Sequence, residues 1–181
     1  VKTIKINNND NFSFESYGGK NWSNIVIEKI KAIYDNLHKY KYVCYTDGDI
    51  VFLNNKFMDY CIENIGESDM ICQNDCDKYG CDCVRWICSG FMFIKSSEAM
   101  RDFFDFKKIK LSNNFRDQKW INANKHKIKY KLLQRDLFPN GSYYYKNNDA
   151  IKDPYMVHFN FVLGHEKKNK MKKYNKWFLN S

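Results

Sequence analysis

The apolar pattern changes period several times along the chain. Residues 1–6 (VKTIKI) alternate apolar and polar positions, the period of a half-buried strand. Residues 7–19 are polar and contain Gly-Gly, which marks a loop. From 20 to 40, Trp22, Val26, Ile30, Ile33 and Leu37 recur at spacings of four and three, one apolar stripe on a helix. Residues 42–46 (YVCYT) form a β-rich run that stops at Asp47-Gly48-Asp49, and 50–53 resume extended. Asn54 or Asn55 would cap a helix through Ile65. A strand over 69–73, a charged loop bearing cysteines over 74–87 and an apolar strand over 90–94 follow. Ser96 then caps a helix to about Phe106, and a turn at 113–116 opens a helix over 117–125. The pattern ends with an extended stretch over 130–134, a Pro-Asn-Gly turn and aromatic strand within 137–145, a strand over 155–160 and a basic helix over 166–178. Strands alternating with helices at this spacing predict an α/β/α sandwich around a mostly parallel sheet.

Composition agrees with one folded domain over 1–181. The chain has 181 residues, 44% hydrophobic and 17% aromatic, which excludes a disordered chain. No apolar run approaches the ~20 residues of a membrane helix, and no signal-peptide pattern opens the chain. It starts at Val1 rather than Met, as expected of a piece cut from something longer. The net charge of +9, concentrated after Lys107, implies attraction to anions; most of these lysines read as a solvated surface. Seven cysteines leave one over from any full pairing. Cys76, Cys81, Cys83 and Cys88 lack zinc-knuckle spacing, so free thiols in a reducing compartment are the leading reading and a disulfide within the loop a second. N-x-S/T triplets at Asn11, Asn21 and Asn140 point the other way, to a secretory lumen. The compartment therefore stays open.

The sharpest chemistry is Asp47-Gly48-Asp49 at a strand end. In extended backbone the two carboxylates point to one side, and Gly48 lets a ligand approach. Two such anions suit a hard divalent cation shared with a phosphate; a plain Asp-Gly turn is the alternative. His158 lies on an apolar strand, where it reads as a metal ligand or as a hydrogen-bonded core residue. Gly164 and Lys167 would face a diphosphate, or belong to the solvated lysine surface. Asp117-Gln118 opens a helix; a cap is the simpler reading, a carboxylate and amide aimed into a pocket the other. His126 and His165 are flanked by lysines and read as surface groups.

YTDGDIVFL at 45–53, CSGFMFIKSS at 88–97, DQKWIN at 117–122, FPNGSYYY at 138–145 and VHFNFVLGHEKKNKMKKYNKW at 157–177 together resemble the GT-A-type nucleotide-diphospho-sugar transferases. The nearest group is that of the retaining α-xylosyl- and α-galactosyltransferases. The resemblance implies a GT-A-like, Rossmann-like sandwich. It also implies Mn²⁺ (or Mg²⁺) and a nucleotide-sugar donor, with UDP the expected base. Asp47 and Asp49 match the DxD pair, with Asp47 near ribose and metal, and His158 matches the histidine that completes the metal site. Gly164 and Lys167 match residues facing the diphosphate. Ser89 and Gly90 fall on the strand lining the sugar pocket, and Asp117 and Gln118 on the pair near the reacting carbon. Lys20 falls where a basic residue approaches the nucleotide. Cys88 stands where many relatives have Asn. Residues 1–6 match the second strand of such a domain, so the first strand–helix unit, which holds the nucleobase, would lie upstream.

The expected reaction is transfer of a sugar to a hydroxyl of a glycan or glycoprotein, with retention. No nucleic-acid partner is expected and no transmembrane segment is present in the sequence. Three rivals remain: an inactive GT-A-like binding domain, a metal-dependent nuclease or phosphatase using Asp47 and Asp49 with Asp75, Asp77 and Asp82, and a basic nucleic-acid-binding module.

Overall fold

A computed structural model describes residues 22–76, 86–110 and 115–179. The strand and loop expected over 1–19, Lys20, Asn11, Asn21, Asp77, Asp82, Cys81 and Cys83 lie outside them. The first described element is helix α1 (Trp22–Leu37), whose stripe buries Val26, Ile30, Ile33 and Leu37 as the spacing predicts. Strands β1 (Tyr42–Thr46) and β2 (Ile50–Phe52) flank Asp47-Gly48-Asp49. Helix α2 (Phe57–Ile65) follows, then β3 (Met70–Asn74), β4 (Ile87–Lys95) and α3 (Glu98–Phe103). The chain continues through α4 (Asp117–Asn124), a 3₁₀ turn at Lys125–Lys127, β5 (Tyr130–Leu132), α5 (Gly141–Asn147), β6 (Met156–His158) and α6 (His165–Lys173).

Strand alternation splits the apolar side chains between two layers. Met70, Cys72, Met92 and Ile94 face the α1 stripe, together with Met100 and Phe103 of α3 and Ile121 of α4. Ile71, Phe91 and Phe93 face the other way, onto Cys61 and Ile65 of α2 and onto Leu133, Phe138 and Met156. Helices thus cover both faces of the sheet, the sandwich the sequence predicts. Its order is β1-β4-β3-β5. β4 pairs antiparallel with both β1 and β3, while β3 pairs parallel with β5. Three of the four strands therefore run the same way; the hydrogen bonding is mixed because reversed β4 lies between two of them.

Two features of this scaffold shape the site. First, the chain changes sheets at Asp47–Asp49. β2 leaves the main sheet and pairs antiparallel with β6, with Ile50 opposite His158. Asp47 N–H still bonds to Gly90 O (2.7 Å) in the main sheet, while Asp49 O accepts from Phe159 N–H (2.9 Å) in the small one. Second, β4 carries a bulge. Cys72 lies opposite Met92 but Gln73 lies opposite Cys88, so Ser89, Gly90 and Phe91 have no partners on β3. Bulges re-aim side chains and often border active sites.

Several local expectations are corrected. The aromatic stretch within 137–145 is not a strand: Gly141–Asn147 is helix α5, because Asn140 caps it by accepting the Tyr143 N–H (2.9 Å). Asn140 is fully buried and its amide also donates to Asn74 O and Cys76 O, so this N-x-S triplet is a structural cap and no glycan acceptor. Ser97, not Ser96, caps α3; Ser96 Oγ instead donates to Leu37 O (2.6 Å). Lys56 takes the N-cap position of α2, and Asn54 accepts the Lys56 N–H just before it. The last helix is shorter than 166–178, since Asn175 turns left-handed (φ 54°) after Tyr174. A third apolar cluster, Tyr144, Val157, Phe159 and Met171, seats α5 and α6 on the small sheet.

Candidate functional site

Asp47, Asp49 and His158 converge where the two sheets meet. One ligand atom from each lies within 4.8 Å of the others, the one such His/Cys/Asp/Glu cluster among the described residues. His158 Nε2 is 3.1 Å from Asp49 Oδ1 and 4.0 Å from Asp47 Oδ2. The register that sets Ile50 opposite His158 brings the histidine back beside the acidic pair. Lys167, from the first turn of α6, donates to Asp49 Oδ2 at 2.6 Å. Burial works to raise the Asp49 carboxyl, but His158 and Lys167 outweigh it and hold it well below the usual carboxylate range. Tyr45 OH donates to Asp47 Oδ1 at 2.9 Å, and burial together with that carboxylate pushes the phenol far above its ordinary value.

Gly90 is the floor of this cluster. A Cβ there would stand 2.3 Å from His158 Cε1 and 2.8 Å from Asp47 Oδ2. Only glycine lets β4 pass so close beneath the donor atoms. Two carboxylates and one imidazole form an oxygen-rich set with one borderline nitrogen, which fits Mn²⁺ or Mg²⁺ better than a soft metal.

A second constellation adjoins the first. Asp117, expected to cap α4, is its first residue and turns its side chain inward instead; Arg116 holds the cap position. Asp117 Oδ2 receives Lys29 Nζ at 2.6 Å, and Ser89 bonds to the same carboxylate. Burial raises the Asp117 carboxyl, but the Lys29 charge and these bonds bring it below its ordinary value. Gln118 accepts the Ser89 N–H (3.2 Å) and donates to Asp75 Oδ2 (2.8 Å). The sequence-predicted Ser89, Asp117 and Gln118 therefore form one hydrogen-bonded group beside Gly90. Gly164 is the N-cap residue of α6 with a left-handed φ of 49° and sets Lys167 in the following turn. His126 and His165 are exposed, as expected.

Lys29 was not anticipated. Its Nζ contacts Asp117, Ser89 O (2.7 Å) and Asp47 Oδ1 (3.5 Å) and lies 4.2 Å from the Tyr45 ring centroid. The signal was present: Val26, Lys29 and Ile33 share one helix face, so a lysine stands within a buried stripe. Gln73 was also missed; its Oε1 lies 2.7 Å from His158 Nδ1. Of the loop carboxylates, described Asp75 goes to Gln118 rather than to the Asp47–Asp49 cluster. Cys44, Cys61, Cys72 and Cys88 are free thiols. Among the described residues no helix is long and apolar enough to cross a membrane.

The chain belongs to the nucleotide-diphospho-sugar transferase family, whose model matches residues 2–173. It is 31% identical to the UDP-galactose:fucoside alpha-3-galactosyltransferase of Dictyostelium discoideum over 96% of its own length and 32% of the relative's. It is 24% identical to the UDP-D-xylose:L-fucose alpha-1,3-D-xylosyltransferase 3 of Arabidopsis thaliana, covering 87% of this chain and 48% of that protein. The chain thus spans half or less of the curated relatives it matches. Its fold is shared with a solved glycosyltransferase involved in glycosylation of the major capsid of PBCV-1, at a TM-score of 0.60 and 13% identity over 91% of this chain and 80% of the other. Family and fold together place the chain among the GT-A-type nucleotide-diphospho-sugar transferases.

Proposed function

We propose that residues 1–181 act as a single transferase domain that moves a sugar from a UDP-sugar to a glycan hydroxyl, with a divalent cation and with retention. The observation that carries the reading is the convergence of Asp47, Asp49 and His158 donor atoms within 4.8 Å, with Lys167 beside them and Gly90 leaving room beneath. The names of both relatives carry a UDP-sugar donor and a fucose-type acceptor, so a galactosyl or xylosyl unit and a fucosyl hydroxyl are the first pair to test.

Asp47, Asp49 and His158 would hold Mn²⁺ or Mg²⁺, which supplies positive charge to a departing nucleoside diphosphate. Lys167 stands at the same end as a mobile point charge, and Gly164 opens the turn that presents it. Lys29 keeps Asp117 ionised and anchored between α1 and β4. So held, Asp117 orients sugar hydroxyls together with Gln118 and Ser89, and its charge faces the forming oxocarbenium. Lys29 opposes its use as a covalent nucleophile, so retention by front-face attack within an ion pair is the preferred course. Lys20 is assigned to the nucleotide side by resemblance alone.

The test is transfer from UDP-galactose or UDP-xylose to a fucoside with Mn²⁺. Activity should vanish with EDTA and fall by about three orders of magnitude in Asp49→Ala, the scale of losing a group that stabilises developing charge. Full activity in Asp49→Ala would overturn the reading.

A further inference from the structure

His158 has two nitrogens, and the fold treats them differently. Nε2 faces Asp49 and Asp47, at 3.1 and 4.0 Å. Nδ1 faces the other way, to Gln73 Oε1 at 2.7 Å. Left to these carboxylates alone, the neutral ring would carry its proton on Nε2, donated to Asp49, and its lone pair would point away from the acidic pair.

Gln73 opposes that. It is fully buried on β3 at the point where the β4 bulge interrupts the ladder. Its amide can stand only one way round, because Nε2 donates to Phe138 O at 3.1 Å and a carbonyl oxygen only accepts. The oxygen end must therefore meet His158 Nδ1, and that contact needs a proton on Nδ1. Cys88 Sγ also lies 3.7 Å from Nδ1, but sulfur at that distance is a weak partner and it already receives Asn160 Nδ2 at 3.9 Å. The backbone fixes the ring further, since His158 N–H bonds to Pro139 O (3.1 Å), next to the Phe138 carbonyl that Gln73 holds.

We propose that Gln73 is the positioning residue that keeps a proton on His158 Nδ1, so that Nε2, which faces Asp47 and Asp49, is the nitrogen left to meet a cation there. Metal-binding histidines depend on such a partner at the second nitrogen, which sets both tautomer and ring orientation. The proposal rests on the reading of Asp47, Asp49 and His158 as a cation site. It assigns to β3 a share of that site which the DxD pair and the histidine do not reveal.

The experiment has two independent readouts on the intact chain. Long-range ¹H–¹⁵N correlation spectra resolve which ring nitrogens carry protons in its four histidines. Mn²⁺ uptake is followed separately by loss of the free-ion electron-resonance signal. The wild-type protein should show His158 protonated on Nδ1. Gln73→Leu should move the proton to Nε2 and weaken Mn²⁺ binding by about tenfold or more. Gln73→Glu, which keeps an acceptor at the same place, should retain the Nδ1–H form and hold Mn²⁺ within about threefold of wild type. Should Gln73→Leu fail to fold, the wild-type and Gln73→Glu tautomers still decide the matter. A wild-type ring without the Nδ1 proton overturns the proposal, as does an unchanged ring and unchanged Mn²⁺ uptake in folded Gln73→Leu. A wild-type protein that keeps the Nδ1–H form yet takes up no Mn²⁺ removes the cation reading itself while supporting the hold of Gln73 on the ring.

Discussion

Lys29 Nζ lies 2.6 Å from Asp117 Oδ2, and the same ammonium lies 3.5 Å from Asp47 Oδ1. One buried cation on α1 thus balances carboxylates from the start of α4 and the end of β1. Removing it leaves Asp117 buried without a counter-charge. Lys29→Met should therefore lower folding stability by about 3 kcal/mol near neutral pH, measured by urea unfolding, the scale expected when one partner of a buried pair is lost. Lys29→Met with Asp117→Asn should recover part of that loss, because no unpaired charge remains at position 117.

The pH dependence of the same pair has a definite sign. In the folded wild type the Asp117 carboxyl lies below its ordinary value, despite burial, because of Lys29. Its contribution is present above the unfolded carboxylate value of about 4 and is lost as the pH falls through the lower folded value. In Lys29→Met only the hydrogen bonds from Ser89 and Gln118 oppose burial, and the downward shift shrinks. The stability gap between the two proteins should be widest near pH 7 and narrow toward pH 3. A gap that stays constant across this range would show that the ion pair does not set it.

Gly90→Ala tests the space beneath the donor atoms. The added methyl would sit 2.3 Å from His158 Cε1, so the ring must move. Mn²⁺ affinity should drop by about tenfold or more. The cost in stability should be about 1–3 kcal/mol, as for overpacking elsewhere. Calorimetric titration and thermal unfolding of one preparation give both numbers.

Lys167→Met separates two roles for one ammonium. With Lys167 gone, Asp49 loses the cation 2.6 Å from Oδ2. Mn²⁺ alone should then bind more tightly, by a few fold, while UDP in the presence of Mn²⁺ should bind about tenfold more weakly, as expected for loss of a charge-assisted contact. Both effects moving in the same direction would contradict the two roles given to Lys167, partner of Asp49 and point charge at the diphosphate end.

Asn140→Ala should destabilise by about 2 kcal/mol or more, because it removes a helix cap and leaves two buried carbonyls, of Asn74 and Cys76, without their donor. Unfolding in urea measures this directly, and a change below about 0.5 kcal/mol would show that water replaces the amide.

Much of this arrangement was legible because it is local. The α1 stripe, β1 and the acidic pair at its end follow from periods and turn residues within a short window. Helix α5 was misread because Tyr143, Tyr144 and Tyr145 favour strands by type, while the Asn140 cap and burial of Tyr144 against Phe159 decide for helix. The pairing of Ser89 and Gly90 with Asp117, His158 and Lys29 depends on the β4 bulge, which no local pattern announces. Lys29 itself was visible only as an exception to its stripe, and Gln73 only once the ladder placed it against His158.

The change of sheets at Asp47–Asp49 has a mechanical consequence. One carboxylate belongs to a segment hydrogen-bonded to β4, the other to a segment hydrogen-bonded through Phe159 to the β6 side. A cation gripped by both, and by His158 on β6, would act as a clasp between the C-terminal portion of the chain and the body that precedes it. Loading the clasp should therefore be felt at a distance from the chemistry, as slower amide exchange along β6 and α6 and as resistance of that portion to proteolytic peeling.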